Sequence, residues 1–312
     1  LRAAQRGLAC SMVNATCAFF ADIMLVLDRS GSVKNCFWRG PSNQMDCDQN
    51  SQMTHNEMYY FAREIIGGFE LGEGTAQFGV VDFDSASRNI VSVLTHDSTV
   101  LDAGLELCED DADCRAAFPN WVNTGQTIRE YNRVGPLSES QRANGWTSIS
   151  NGMALGRELL VNGNTRRDPI SGAAPKRIML LLTDGEQTCV RSSAGAVGAW
   201  TMDDGGRYTG SNTCSNTISD DGTGDAEAIA QAAVLKASTQ DGGDDVTLFA
   251  VGFGSANPDT IAAMATNPNL SFFGSNITAI REYFAESSFC GQVMVPAPPP
   301  PPPPAQPPPP SS

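Results

Sequence analysis

Residues Asp22–Cys36 read DIMLVLDRSGSVKNC. Five apolar residues, Ile23 to Leu27, stop at Asp28, and Ser30, Gly31 and Ser32 follow. An unbroken apolar run of this length is the pattern of a strand covered on both faces, as in a parallel sheet flanked by helices. The strand ends by presenting one carboxylate and two hydroxyls at alternate positions. Those groups are hard oxygen donors, the kind that Mg²⁺, Mn²⁺ or Ca²⁺ takes.

The same strand pattern recurs outward from this stretch. AQFGVVDF (76–83), NIVSVL (89–94), RIMLLLTD (177–184) and VTLFAVGFG (246–254) read as further strands. Between them lie helical spacings. Met58, Phe61, Ala62, Ile65, Ile66 and Phe69 form one stripe, which Gly67-Gly68 should end. Ile149, Met153, Leu159 and Leu160 form a second, and Ala226, Ile229, Ala230, Ala233, Val234 and Ala237 a third. Asn257-Pro258 reads as an N-cap followed by proline at the first helical position, and a last helix is expected over 278–287. Strands alternating with helices predict an α/β domain with a doubly wound, mostly parallel sheet and helices on both faces. Ligands of such sheets sit at the carboxyl ends of the strands. Asp28 and Asp184 both fall there, although 156 positions separate them in the chain.

Thr147, just ahead of the second helical stripe, adds a further hydroxyl. Asp28, Ser30 and Ser32 as D-x-S-x-S, then Thr147, then Asp184 after an apolar strand, resemble the metal-ion-dependent adhesion site of von Willebrand factor A (VWA) domains. The likeness spans about residues 20–290. It implies a six-stranded doubly wound sheet and a site for Mg²⁺ or Mn²⁺, with Ca²⁺ a weaker fit. It implies that Asp28, Ser30, Ser32, Thr147 and Asp184 hold the metal directly or through water. It also implies an open metal position for an Asp or Glu carboxylate of an extracellular or matrix partner. Three insertions depart from the pattern, at 36–47, 108–146 and 186–223, and each is placed to form a rim or lid near the site. Their aromatic residues Trp38, Trp121, Trp146 and Trp200 are read as packing beneath long loops, with Trp38 and Trp200 the side chains best able to anchor a partner, and Asp82 and Asp84 as a solvated turn rather than a second cation site.

Composition narrows the function. A net charge of −15 and a pI near 4.4 argue against nucleic acid. No apolar run is long enough to span a bilayer. Nine cysteines without a CxxC pair favour disulfides in an oxidising compartment. Local clamps at Cys36–Cys47, Cys108–Cys114 and Cys189–Cys214 are expected, with Cys17 bridging to Cys290. Cys10 is left over and offers a route to self-association, although spacing alone does not fix connectivity. Sequons at Asn14, Asn269 and Asn276 suit a secreted glycoprotein.

The domain reading is an extension over 1–19, a domain over 20–290 and a proline-rich linker over 291–312. The run PAPPPPPPPAQPPPPSS (296–312) forms polyproline II, a stiff spacer rising about 3.1 Å per residue. It resembles the stalks of plant and green-algal wall glycoproteins. No P-loop, G-x-G-x-x-G or G-x-S-x-G motif occurs, and His55 and His96 have no Cys or His cluster nearby. The sequence therefore predicts a non-enzymatic, extracellular adhesion module of a matrix or cell wall. A structural matrix domain without metal access and a metal-dependent hydrolase are the competing readings.

Overall fold

The computed structural model describes residues 20–30, 37–38, 45–46, 55–84, 87–105, 147–162, 166–168, 172–191, 201–202, 207–209, 212–214, 222–237, 244–254 and 256–274. In chain order the elements are β1 (Ala21–Asp28), β2 (Phe37–Trp38), β3 (Met45–Asp46), α1 (His55–Gly67), β4 (Ala76–Phe83), β5 (Ser87–Thr95) and α2 (Ser98–Leu105). They continue with α3 (Ile149–Asn162), β6 (Lys176–Thr183), β7 (Cys189–Arg191), β8 (Thr201–Met202), β9 (Arg207–Thr209), β10 (Asn212–Cys214) and α4 (Thr223–Lys236). The last are β11 (Val246–Phe253), α5 (Pro258–Met264), a 3₁₀ turn (Pro268–Leu270) and β12 (Ser271–Gly274).

The central sheet runs β12-β11-β6-β1-β4-β5-β9-β8. Strands β12 to β4 are parallel, and β5 returns antiparallel to β4. The six expected strands are thus joined by two short ones, β9 and β8. Both come from the 186–223 insertion, and β9 pairs with β5 at Ser87 and Arg88. Residues 201–202 and 207–209 of that insertion therefore extend the sheet at its edge.

Winding reverses at β1. The chain adds β4 and β5 on one side, then returns to add β6, β11 and β12 on the other. Reversal opens a crevice at the carboxyl ends of the central strands. β1 is buried along its whole length, which explains its unbroken apolar run. Met24 and Val26 face α3, as their contacts with the α3 glycines show, and Asp28 follows on the same face by the period of two.

Most expected elements appear within a residue or two of their predicted limits. The α4 face differs. Its buried residues are Gly224, Ala228, Ala232 and Leu235, whereas Ala226, Ala230 and Ala233 are exposed. Small apolar residues surround this helix on all sides, so periodicity does not mark the packed face. The small set is what allows close contact with β11 and with α3. The helix expected at 278–287, the Cys17–Cys290, Cys36–Cys47 and Cys108–Cys114 bridges, the 108–146 insertion and the proline-rich linker all lie outside the described residues. So do the four tryptophan side chains.

The pole opposite the crevice is fastened by Arg166. Its guanidinium pairs with Asp22, which is 1% exposed, and donates to the carbonyls of Ala21, Gly72, Glu73 and Thr75 while lying over the Phe20 ring. Replacing Arg166 by Met keeps an apolar stem but removes the guanidinium from a buried carboxylate. Urea unfolding should show a loss of about 3 kcal/mol or more. Arg166→Lys should recover only part of it, because one ammonium does not span these acceptors.

Candidate metal centre

The apolar strands deliver polar groups to one edge because each runs out of core at its carboxyl end. Asp28 is the last residue of β1 and is fully buried. Its Oδ1 accepts from the Ser30 amide at 2.7 Å, and its Oδ2 accepts from the Thr183 hydroxyl at 2.5 Å. The Asp184 amide also donates to this carboxylate. These bonds set the rotamer of Asp28 and join the ends of β1 and β6. Burial nevertheless pushes the carboxyl up to about 6, against the lowering effect of the donors. A cation beside a buried carboxylate favours its charged form and offsets what burial removed.

Ser30 is buried, Thr147 is 5% exposed and Asp184 is 7% exposed. Ser32 lies outside the described residues. The other four come together through main-chain ties. Arg29, between Asp28 and Ser30, donates its amide to Phe83, and the next carbonyl, Asp84, accepts from Ser148 beside Thr147. The strand end at Asp28, the β4 end and the start of α3 are thereby stitched in sequence. Thr188, four residues after Asp184, accepts from the Thr147 amide at 2.7 Å.

Two glycines set the clearances. A Cβ on Gly152 would stand 2.4 Å from the Phe83 ring and 3.0 Å from Val26, so α3 rests directly on the sheet. Gly254, at φ 62°, lies against the Asp184 carbonyl, where a Cβ would come within 3.0 Å. The turn after β11 thus supports the loop that carries Asp184, and only glycine adopts that backbone readily.

Asp82 and Asp84 depart from the solvated turn read in the sequence. Asp82 is fully buried and Asp84 is 4% exposed. Asp82 points to the other face of the sheet, where it accepts from Tyr59 of α1 at 3.0 Å and pairs with the buried Arg29 at 3.4 Å. Arg29 thus anchors the D-x-S-x-S turn from below. The period of two along β4 placed Asp82 opposite Phe83; the missing signal was the long-range partner.

The donors fit a divalent hard cation: two carboxylates and neutral hydroxyls, without thiolate or imidazole. Among the described residues no group of three or more His, Cys, Asp or Glu side chains is arranged for a metal. The candidate centre accordingly relies on hydroxyls to complete its shell. Thr183, Gly254, Gln187 and Thr188 support it and were not singled out in the sequence, since none belongs to the motif.

No protein-family model matches the sequence, and no curated protein matches it. Solved structures do share its fold. A D319A mutant of the PilB minor pilin from Streptococcus sanguinis is 13% identical with a TM-score of 0.51, over 88% of this chain and 61% of that one. Proximal thread matrix protein 1 from the mussel byssus, with a zinc-occupied MIDAS motif, is 18% identical with a TM-score of 0.45, over 86% of this chain and 47% of that one. The vWF domain of the pilus tip protein Mfa5 from Porphyromonas gingivalis is 12% identical with a TM-score of 0.48, over 88% and 96%. The chain thus spans less than half the length of the mussel protein. Together with the sheet order, the pilin match shows a doubly wound, mostly parallel α/β fold.

Gly152→Ala tests the seating of α3. The methyl group must displace the Phe83 ring or lift the helix that begins at Ile149. A loss of about 1–3 kcal/mol is expected for such overpacking, read as a lower urea midpoint. Gly156→Ala, whose nearest contacts are Val26, Met179 and Met24 side-chain atoms at 3.0–3.2 Å rather than 2.4 Å, should cost less.

Proposed function

We propose that the domain is a non-enzymatic, cation-dependent protein-binding module of the extracellular space, carried on a polyproline stalk in a matrix or cell wall. The observation that carries this reading is the convergence of Asp28, Ser30, Thr147 and Asp184 on one strand-end edge, around a carboxylate that burial disfavours. In this reading these four residues, with Ser32, hold Mg²⁺ or Mn²⁺. When bound, the ion supplies an open positive position for a carboxylate oxygen of a partner Asp or Glu.

The residues around the edge suit that role. Ser30 and Thr147 are neutral donors, so only the acids offset the cation's charge, and a further anionic oxygen remains attractive. Thr183 and the Ser30 and Asp184 amides occupy Asp28 from the protein side and keep it aimed at the edge. The chain's charge of −15 disfavours a broadly acidic partner, which leaves the single carboxylate at the cation as the favoured anionic contact. Specificity would come from residues around the edge, since the metal contact is alike for any Asp or Glu.

His96 is not placed to serve a hydrolytic reading as a base at this edge. His96 bonds to Gln77 at the amino end of β4, the pole away from Asp28. No helix among the described residues is long and apolar enough to cross a membrane, in keeping with a stalked, secreted module.

Two measurements test the proposal. Calorimetry should detect Mg²⁺ or Mn²⁺ binding, and Asp28→Ala should weaken it by roughly tenfold or more because the buried acid is lost from the oxygen shell. Unchanged affinity in the variant would remove Asp28 from the site. Matrix proteins should be retained on the immobilised domain with Mg²⁺ and released by EDTA, and esterifying their carboxylates should abolish retention. Retention that survives chelator would mean adhesion through another surface.

A further inference from the structure

The segment that follows Asp184 is more than a connection to the insertion. Gln187, Thr188 and Cys189 run alongside the start of α3 and take up its main-chain groups. The Thr147 amide donates to Thr188 Oγ1 at 2.7 Å, and the Thr147 carbonyl accepts from the Thr188 amide at 2.9 Å and the Cys189 amide at 3.1 Å. Gln187 is fully buried and reaches Ser150 twice. Its Oε1 accepts from the Ser150 amide at 2.8 Å, and its Nε2 donates to Ser150 Oγ at 3.1 Å. Ser150 in turn donates to Glu227 of α4 at 3.1 Å.

Two consequences follow from this pattern. The first amides of a helix have no partner within the helix, and here one of them is satisfied by a side chain from a distant segment. Thr147, meanwhile, has both of its main-chain polar groups fixed by the same segment that carries Asp184. The hydroxyl of Thr147 is then oriented from behind by residues that need not touch the ion.

We infer that Gln187–Cys189 is a positioning strap that sets Thr147 for the metal and is itself held at its far end by the β7–β10 ribbon. This rests on the metal reading above. Cys189 opens β7 and is disulfide-bonded, and Cys214 stands directly opposite it in the antiparallel pair with β10. The near end of the strap is fixed by β6 in the central sheet. A segment fixed at both ends transmits its position to Thr147, and losing residues that orient ligands in this way typically costs roughly tenfold or more in metal affinity.

The test uses the full chain with Thr188→Val, which removes the hydroxyl at similar volume, and Thr188→Ser, which restores it. Mn²⁺ affinity is read by calorimetry. Metal-free hydrogen–deuterium exchange is read over peptides covering 147–153, with the urea midpoint as the measure of global stability. Thr188→Val should weaken Mn²⁺ by about tenfold and accelerate exchange in 147–153. Thr188→Ser should return both toward wild type. The urea midpoint should move in neither variant enough to account for the lost affinity. A valine variant with wild-type affinity and wild-type exchange overturns the strap. Lost affinity that serine does not rescue also overturns it, since the hydroxyl would then not be the cause. If the wild-type chain takes up no Mn²⁺, the metal reading fails and the strap's role toward a metal falls with it. Exchange then separates the two failures: acceleration in the valine variant leaves the contact with α3 standing, and its absence removes that too.

Discussion

The Asp28 carboxylate is the constraint on which the rest of the edge depends. It ends a strand that is buried throughout and apolar from Ile23 to Leu27, so it sits where water does not reach. Folding must then supply donors for it. Thr183 comes from the neighbouring strand, the Ser30 amide from the turn directly after it, and the Asp184 amide from the loop after β6. A buried polar group without such partners would cost free energy comparable to a lost hydrogen bond or more. The same donors that stabilise the acid therefore bring the second acid beside it. Function and folding are coupled through one side chain.

The other face of the sheet shows how the turn after Asp28 is kept in place. Arg29 crosses to that face and pairs with Asp82, which Tyr59 of α1 also contacts. A buried ion pair is weak support for stability by itself, because desolvation offsets much of the attraction. Its value here lies in direction. The side chain between Asp28 and Ser30 is drawn beneath the sheet, and the two flanking oxygens are left on the other side.

The helices contribute through contact distance. Gly152 and Gly156 let α3 lie against the side chains of Met24, Val26, Phe83 and Met179 on the sheet, and the small buried residues of α4 sit beside it. A helix seated this closely moves little without disturbing the core. Its first residues therefore hold their place relative to the strand ends, and the Ser150–Glu227 contact links the starts of α3 and α4.

The sequence by itself determined the fold class, five strands of the central sheet, and the placing of Asp28 and Asp184 at strand carboxyl ends. It could do so because burial on both faces leaves a short apolar run, of strand length and bounded by polar residues, and because a parallel α/β sheet gathers those ends on one edge. Periodicity failed where composition carried no contrast. In α4, alanine surrounds the helix, and packing against β11 and α3 chose the face. Asp82 read as a turn residue because its partners, Arg29 and Tyr59, are 53 and 23 residues away. The supports of Thr147 were likewise decided only in three dimensions. Gln187 and Thr188 are ordinary polar residues of a loop, and their role exists only because the crossover from β6 passes the unpaired amides at the start of α3.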